Sequence, residues 1–315
     1  MKILIVTPAG ARSRYGNRNT AARWAVLLRS LGHRVTIQVA WDGKAADMMI
    51  ALHARRSHAS VKHFHRLYPE RPLIVTLTGT DLYRDIRFDA DAKESMRLAT
   101  RMIVLQDRGL RELSPALRRK TRVIYQSTPP VSPRPPLTSC FEIAVSGHLR
   151  EEKDPFRAAA ALPYLPAASR IRLTHLGGAM SPEIAAAARE WMKRQPRYRW
   201  LGELAHGKAL RLLARSRLMV ISSRMEGGAN VVSEALAAGV PVIASRIPGN
   251  IGMLGSDYAG YYAVGDEAAL SRLMWRAESE PEFYRRLKRQ CAARKYLVSP
   301  RLERLGLKNL LTELL

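Results

Sequence analysis

Short apolar runs alternate with amphipathic stretches of helical period along the whole chain, and this alternation predicts strands separated by helices. In the first half the predicted strands span residues 2–7, 33–39, 47–52, 73–78, 101–105 and 122–126. In the second half they span residues 142–146, 171–176, 198–201, 218–222 and 240–244. Such βα alternation forces parallel sheets with right-handed crossovers, whose ligands bind at the carboxyl ends of the strands. We therefore expect an α/β protein with two doubly wound, Rossmann-like domains that face one another across a cleft.

The first predicted helix spans residues 20–31. Its apolar residues Trp24, Leu27, Leu28 and Leu31 recur at helical spacing. Asn19 or Thr20 can cap its start, and Gly32 ends it.

A proline-rich joint separates the two halves, because five prolines fall between residues 128 and 140 and exclude both helix and central strand. We expect an N-terminal domain over residues 1–130, a linker over 131–140 and a C-terminal domain over 141–294. Residues 281–315 have a helical pattern, and we expect the final helix, about 295–315, to pack back on the first domain.

The segment EGGANVVSEALAAG, residues 226–239, is the most informative stretch of the chain. It predicts a loop with a glycine pair, a helix over residues 230–238 and a glycine stop at Gly239. Glycines let the backbone approach a ligand closely, and the first helical turn offers N–H groups to an anion such as a diphosphate. Glu226 in the loop and Glu234 in the helix both suit polyol hydroxyls. An ordinary αβ turn, with Glu226 solvated and Glu234 stabilising the helix N-terminus, remains the alternative.

The formal net charge of +25 implies anionic partners or solubility, since the basic residues are scattered over both halves. No nucleic-acid-binding module is recognisable, so we expect no nucleic-acid partner. No apolar window is long enough to span a membrane, and the start of the chain predicts a strand rather than a signal peptide. We expect a cytoplasmic protein without stable membrane insertion. Cys140 and Cys291 fit reduced, structural thiols.

These motifs resemble the GT-B glycosyltransferases, in particular the large retaining family marked by Glu, seven residues, Glu. The resemblance implies a nucleotide-sugar donor bound mainly to the second domain, with Glu226 orienting the hexose and Glu234 the ribose. It also implies that the segment SGHLREEKDP, residues 146–155, supplies cations to the diphosphate. By this resemblance Arg150, Lys153 and Glu226 are the expected catalytic residues. The expected donor-binding residues are Gly147, Arg150, Lys153, Glu226, Gly227, Gly228, Ala229, Asn230, Val231 and Glu234.

Three strings in the first half, GNRNTAARW (16–24), LHARRSH (52–58) and LTGTDLYRDI (77–86), each follow a predicted strand. They resemble the selenosugar synthases of selenoneine biosynthesis, a branch of the same fold. The resemblance implies transfer of N-acetylglucosamine (GlcNAc) or glucose from a UDP-sugar to the selenium of selenophosphate. An anionic acceptor agrees with the basic residues near these strand ends, and it needs no general base. The expected acceptor-binding residues are Asn17, Arg18, Thr20, His53, Arg55, Arg56, His58, Thr80, Asp81 and Arg84.

Each acceptor residue also has a structural interpretation. Asn17 and Thr20 can open the first helix, Thr80 and Asp81 can cap the turn over residues 82–86, and the histidines can be surface or core-edge residues. We expect no metal and no cofactor. The Asp89-Ala90-Asp91 string lies at a predicted helix start, and the four residues His53, His58, His63 and His65 lack acidic or cysteine partners at ligand spacing.

Two other functions remain open from the sequence. One is transfer to a hydroxyl of a lipid or polysaccharide at the inner membrane surface, with the basic charge contacting anionic lipid. The other is a non-catalytic nucleic-acid-binding or regulatory protein that keeps the fold. The donor hexose, the anomeric configuration of the product and the oligomeric state are likewise open.

Overall fold

A computed structural model describes residues 1–10 and 16–314 of the chain. By their contacts these residues form two compact units. The first unit comprises Met1–Ser127, Glu226–Gly228 and Ser299–Leu315, and the second comprises Thr128–Met225 and Ala229–Val298. The predicted domains, 1–130 and 141–294, placed Glu226–Gly228 in the second domain. By its contacts this short segment belongs to the first unit. Leu315, the last residue of the predicted final helix, lies outside the described residues.

The first unit is built on six parallel strands in the order β2-β1-β3-β4-β5-β6. The strands are β1 (Lys2–Val6), β2 (Arg34–Gln38), β3 (Met48–Leu52), β4 (Leu73–Leu77), β5 (Arg101–Val104) and β6 (Thr121–Val123). The helices are α1 (Gly16–Arg29), α2 (His58–Leu67), α3 (Ile86–Phe88), α4 (Ala90–Leu98), α5 (Pro115–Arg119) and, at the end of the chain, α13 (Pro300–Thr312). A π-helical turn, Asp81–Asp85, and a 3-10 helix, Asp107–Glu112, follow β4 and β5.

The second unit also has six parallel strands, in the order β12-β11-β10-β7-β8-β9. The strands are β7 (Phe141–Ser146), β8 (Ile171–Leu176), β9 (Tyr198–Trp200), β10 (Leu218–Ile221), β11 (Val242–Ser245) and β12 (Tyr261–Tyr262). The helices are α6 (Arg157–Ala161), α7 (Pro182–Arg194), α8 (His206–Arg215), α9 (Asn230–Ala238), α10 (Pro248–Leu254), α11 (Glu267–Ser279) and α12 (Pro281–Arg294). Short 3-10 helices cover Glu151–Lys153, Leu162–Tyr164 and Lys295–Val298. This confirms the predicted α/β class with two Rossmann-like sheets.

The two strand orders place the ligand-binding crevice differently, because such a crevice opens where the order reverses. In the first sheet the reversal lies between β1 and β3, and in the second it lies between β7 and β10. Any ligand is therefore expected at the carboxyl ends of these two strand pairs.

The core of the first unit lies on both faces of its sheet, because the central strands β3 and β4 are buried along their whole length. Trp24 and Leu28 of α1 pack on one face together with Leu307 and Leu310 of α13. The other face is covered by a cluster that includes Phe64 of α2. Helix α13 is held on this unit by Glu303, a buried carboxylate that accepts hydrogen bonds from Trp24 Nε1 (2.7 Å) and Arg23 Nε (2.9 Å).

Several predicted boundaries differ from the structure. Helix α1 begins at Gly16, four residues before the predicted start, so the predicted cap at Asn19 or Thr20 is wrong. The Thr20 hydroxyl donates instead to the carbonyl of Gly16, one turn back (2.9 Å). The two-residue strand β12 was missed because it is too short to produce an alternating pattern.

Other predicted elements are confirmed. Helix α9 covers residues 230–238 as predicted, and Gly239 ends it in the left-handed conformation (φ 71°). Both cysteines are buried and unbridged. Among the described helices, none is both long and apolar enough to cross a membrane.

Candidate functional site

The second unit has a pocket at the point where its strand order reverses. Residues at the carboxyl ends of β7 and β10 line it, together with the loop after β7. The lining residues are Val145, Ser146, Gly147, His148, Lys153, Pro155, His175, Val220, Ile221, Ser222 and Ser223. The pocket thus lies where an open parallel sheet binds its ligand.

Gly147 forms the floor of this pocket, immediately after β7. Its φ of 154° lies in the region that favours glycine, and its N–H donates to the Leu176 carbonyl at the end of β8 (2.8 Å). The neighbouring strand end also requires glycine, since a Cβ at Gly177 would lie 2.0 Å from the Gly147 carbonyl oxygen. Two backbone segments can approach this closely only because both residues lack side chains. The pocket floor is therefore main chain.

Lys153 is brought into the pocket by a 3-10 turn and a left-handed residue, Asp154 (φ 45°). The end of β10 holds this turn, because Ser222 Oγ lies within hydrogen-bond distance of the carbonyl oxygens of Lys153 (3.0 Å) and Asp154 (2.9 Å). Arg157 secures Asp154 by a further hydrogen bond from Nε (2.9 Å). Arg150, predicted beside Lys153, is not part of the lining. Its half-exposed guanidinium lies 3.9 Å from Glu152.

His175 is a neutral, buried histidine beneath the pocket. Its Nδ1 lies 2.9 Å from the hydroxyl of Tyr198. Burial lowers the pKa of His175 to about 4, against a smaller, opposing effect of a hydrogen bond with the Gly147 backbone. At neutral pH the ring therefore supports the glycine floor without adding charge.

Helix α9 begins without a side-chain cap, because its N-cap residue is Ala229. Its first turn, which includes Asn230 and Val231, therefore presents backbone N–H groups as a site suited to an anion. Glu234 lies one turn further along, mostly buried, and its Oε1 is 3.0 Å from Nε2 of His206 at the start of α8. This hydrogen bond to Glu234 raises the pKa of His206. The pair places a carboxylate and an imidazole side by side on the second unit.

The glycine pair has a structural role in the first unit, to which Glu226–Gly228 belongs by its contacts. A Cβ at Gly227 would lie 2.3 Å from the carbonyl oxygen of Thr78, and one at Gly228 would lie 2.6 Å from Cβ of Leu105. The segment thus packs against the ends of β4 and β5. Glycine at these positions is required by close packing within the protein, whereas the sequence suggested close approach to a ligand. Glu226 is buried in this packing.

In the first unit, Thr7 and His53 follow β1 and β3, the strands at the reversal of the sheet. The buried Thr7 hydroxyl has no hydrogen-bond partner among residues 1–10 and 16–314. His53 is also buried and has a positive φ of 76°, which is strained for a non-glycine residue. The Arg56 N–H donates to its Nδ1 (3.3 Å), so the ring proton is on Nε2, 3.0 Å from Thr80 Oγ1. Burial lowers the pKa of His53, against the opposing effect of Asp81.

Asp81 and Asp85 counter the basic residues predicted to hold an anion. Asp81 is fully buried and accepts hydrogen bonds from the backbone N–H groups of Ala54 (2.9 Å), Thr78 (2.8 Å) and Gly79 (2.8 Å). It therefore fixes the β4 loop against the β3 loop and does not cap residues 82–86 as suggested. Asp85 accepts from both Arg55 Nε (2.9 Å) and Arg84 Nε (3.0 Å). These two arginines are each already held by a carboxylate.

Arg56 and Arg18 differ from that pair. Neither forms an ion pair with another residue in the described part of the chain, and Arg56 is exposed beside the strained His53. Arg18 and Asn17 lie in the first turn of α1, which follows β1. Thr20, in the same turn, is buried and contacts the Gln126 amide. Asn17, Arg18 and Arg56 are thus the predicted acceptor residues best suited to meet a small anion.

The side chain of His58 contacts residues of α4. Its Nδ1 is 3.0 Å from Ser95 Oγ, and its Nε2 is 3.1 Å from Glu94 Oε2 and 3.5 Å from Asp91 Oδ1. The prediction that His58 lacks acidic partners is therefore wrong for the folded chain, although no acidic residue stands at ligand spacing in the sequence. Because two carboxylates surround this ring, we leave His58 out of the anion site.

Comparison with known proteins agrees with the architecture. Residues 138–294 match the family described as Glycosyl transferases group 1. Over 127 residues the chain is 34% identical to the glycogen synthases of two Mycobacterium tuberculosis strains. That alignment covers 38% of this chain and 29% of theirs, so the chain spans less than a third of the length of these relatives.

Solved structures share the whole fold. The Anabaena protein HepE, in complex with UDP and glucose, has a TM-score of 0.76 at 16% identity, with 99% of this chain and 98% of that chain covered. Sucrose-phosphate synthase from Thermosynechococcus elongatus has a TM-score of 0.77 at 16% identity, with the same coverage. The protein therefore has the GT-B glycosyltransferase fold. Its residues 138–294, just under half of the chain, match the model of the group 1 glycosyltransferases.

Sequence reasoning missed four residues that shape the two strand-end sites: Thr7, His175, His206 and Ser222. Thr7 and Ser222 are the last residues of two predicted strands and directly follow β1 and β10, so their position at a strand end was an available signal. His175 lies within a buried strand and His206 at a helix start, where neither has a local motif. Their roles depend on Tyr198, Gly147 and Glu234, which only folding brings near.

Proposed function

We propose that the protein is a glycosyltransferase that moves GlcNAc or glucose from a UDP-sugar to the selenium of selenophosphate, within the retaining family marked by Glu, seven residues, Glu. The observation that carries the donor half is the glycine-floored pocket containing Lys153 in a unit that matches the group 1 glycosyltransferases. UDP complexes of the similarly folded HepE support UDP as the nucleotide.

The donor is proposed to bind mainly to the second unit. Lys153 and the N–H groups of the first turn of α9 stabilise the negative charge that develops on the departing diphosphate. Arg150, which lies outside the pocket lining, joins them from the same loop. Glu234 accepts hydrogen bonds from the ribose hydroxyls. Glu226 is proposed to orient the hexose. Ala229, Asn230 and Val231 contribute backbone contacts.

The acceptor is proposed to bind the first unit at the ends of β1 and β3. Arg18 and Arg56 supply cations there, Asn17 and Thr80 supply neutral polar groups, and Arg55 and Arg84 are restrained by Asp85. The Nδ1 atom of His53 already accepts a hydrogen bond from the Arg56 N–H, so His53 is proposed to act through its Nε2–H as a hydrogen-bond donor rather than as a base. An already ionised nucleophile needs no base, and this favours selenophosphate over a hydroxyl acceptor on a lipid or polysaccharide.

In the proposed reaction a selenium lone pair of selenophosphate forms the bond to the anomeric carbon. The bond from that carbon to the diphosphate oxygen breaks, and its electron pair leaves with UDP. The first product carries the sugar and the phosphoryl group on selenium. Water then cleaves the phosphorus–selenium bond to give the selenosugar and inorganic phosphate. The reaction as proposed uses no cofactor.

Mass spectrometry of the product tests this proposal. Purified protein incubated with UDP-GlcNAc or UDP-glucose and selenophosphate should release UDP and yield a sugar product with the isotope pattern of selenium. Inorganic phosphate in place of selenophosphate is the matched control and should yield no such product. UDP release no greater than that without any acceptor would contradict the proposal. Release that requires a lipid or glycan hydroxyl would support the alternative acceptor.

A further inference from the structure

We propose that His58, Asp91 and Glu94 form a binding site for one divalent cation of the Zn²⁺ type on the first unit. His58 is the first residue of α2, while Asp91 and Glu94 lie on one face of α4 at i and i+3. One nitrogen and two carboxylate oxygens from these residues all lie within 4.8 Å of one another. The inference is independent of the proposed function, because none of the three residues belongs to the proposed donor or acceptor site.

The distances match those between ligands around one ion. Zinc bonds of about 2.0–2.2 Å to nitrogen and oxygen place neighbouring atoms of a tetrahedron about 3.3–3.6 Å apart. The Nε2 atom of His58 is 3.5 Å from Asp91 Oδ1 and 3.1 Å from Glu94 Oε2. Two of the three separations are thus close to the edge of a tetrahedron, and the two carboxylate oxygens, which lie within 4.8 Å of each other, need only a small side-chain movement to complete three vertices. Since 63% of the Asp91 side chain is exposed, water can take the fourth position.

The histidine is already oriented as a metal ligand. Its Nδ1 lies 3.0 Å from the hydroxyl of Ser95, a fully buried residue of α4. A hydrogen bond from Nδ1–H to that hydroxyl leaves the Nε2 lone pair facing the carboxylates, the arrangement common to histidine ligands with a second hydrogen bond. His58 is itself buried, so the ring cannot turn freely away from Asp91 and Glu94.

Two basic side chains compete for the same carboxylate. Lys62 Nζ is 3.2 Å from Glu94 Oε2, and Arg97 lies 4.0 Å from Glu94 Oε1. Both are largely exposed, with 61% and 72% of the side chain accessible, and surface ion pairs of this kind are weak. A cation bonded to Glu94 can displace Lys62 into solvent. The ion would then link α2 to α4 and stabilise the first unit by mass action.

Calorimetric titration of the full, metal-free chain with Zn²⁺ tests the site. We expect one ion per chain, with the visible absorption of four-coordinate Co²⁺ when Co²⁺ replaces Zn²⁺. His58→Ala and Glu94→Gln should each abolish binding, and Glu94→Gln preserves the size of the side chain so that folding is retained. Ser95→Ala should weaken binding about tenfold or more, through loss of the bond that orients the ring. His65→Ala, on the same helix, is the matched control and should bind as the wild type does.

Thermal unfolding separates a metal site from a simple histidine–carboxylate pair. With a metal site, added Zn²⁺ raises the midpoint of the wild type and of His65→Ala but not that of Glu94→Gln. With a pair alone, Glu94→Gln lowers the midpoint equally with and without Zn²⁺. Absence of Zn²⁺ binding to the wild type, or equal binding to all the variants, would overturn the proposal.

Discussion

The two units share a six-stranded parallel sheet but differ in what stands at its carboxyl edge. In the second unit that edge contains two main-chain segments in close contact, at Gly147 and Gly177, together with the buried His175. In the first unit it is made of side chains, with the strained His53 and two buried aspartates among arginines. Backbone N–H groups suit a diphosphate such as that of a UDP-sugar, whereas side chains differ from one protein to another and suit an individual ligand.

The charged side chains at the carboxyl edges of the two sheets also differ. At the first edge, Asp85 binds Arg55 and Arg84, whereas Arg18 and Arg56 form no ion pair within the described residues and are the cations proposed to meet an anion. At the second edge, Lys153 is positioned by its own backbone, since Ser222 bonds to the carbonyls of the turn that carries it. If the second edge binds the donor and the first edge binds the acceptor, substitutions at each edge change the kinetic constants for only one substrate. Substitution of Lys153 is expected to have the largest effect.

Lys153→Ala should lower kcat by about 100-fold or more, because Lys153 is the cation proposed to stabilise the departing diphosphate. Steady-state UDP release measures the effect. Lys193→Ala, an exposed lysine on α7, is the control and should be indistinguishable from the wild type. A Lys153 variant with normal kcat would remove the donor site from this pocket.

Glu234→Gln should weaken UDP binding about 10-fold to 100-fold, since hydrogen bonds to a charged group contribute about 1.5–3 kcal/mol. Calorimetric titration with UDP gives the affinity. The exposed Glu190 of α7 provides the matched Glu190→Gln control. Equal UDP affinity in the Glu234 variant and the control would show that this carboxylate does not hold the ribose.

His175 should make the protein less stable in acid. Its folded-state pKa is about 4, whereas the unfolded chain takes up the proton near the ordinary pKa of about 6.5, so the unfolded state binds more protons below that pH. Stability is therefore lost as the pH falls from about 6.5 towards 4. Between pH 7 and pH 5 the loss from this group is about 2 kcal/mol. His175→Gln should remove that share of the pH dependence, as measured by urea unfolding.

The wild type, measured over the same pH range, is the reference for this variant. If the His175→Gln variant loses as much stability in acid as the wild type, the imidazole beneath Gly147 is not buried in its neutral form.

Arg56→Ala should raise the KM for selenophosphate about fivefold, since one exposed cation contributes about 1 kcal/mol, and should leave the KM for UDP-GlcNAc unchanged. Initial rates with each substrate varied in turn measure both constants. Arg66→Ala, an exposed arginine on α2, is the matched control. A change in the donor KM alone would reverse the assignment of the two edges.

The fold and helix α9 could be predicted from the sequence because their signals are local. Alternating apolar runs predict parallel strands, and Gly239 marks a helix end whatever surrounds it. The start of α1 could not be predicted, because Thr20 has the sequence of a cap but bonds back to Gly16 within the helix.

The site was only partly predictable, since its chemistry depends on distant residues. Motifs indicated Gly147 and Lys153, which line the pocket, and Glu234, which contacts His206. The pairing of Asp85 with two arginines, the carboxylates around His58 and the packing of Gly227 against Thr78 join segments far apart in the chain. Residue spacing in the sequence does not predict contacts between distant segments. It could therefore not be predicted that Arg55 and Arg84, near strand ends, are paired with a carboxylate.

Separate binding titrations of UDP-GlcNAc and selenophosphate test most directly whether the donor binds the second unit and the acceptor the first. Each ligand is titrated into the wild type, Lys153→Ala and Arg56→Ala. We expect Lys153→Ala to lose UDP-GlcNAc affinity while keeping that for selenophosphate, and Arg56→Ala to show the reverse. Loss of both affinities in Lys153→Ala, with none in Arg56→Ala, would contradict an acceptor site on the first unit.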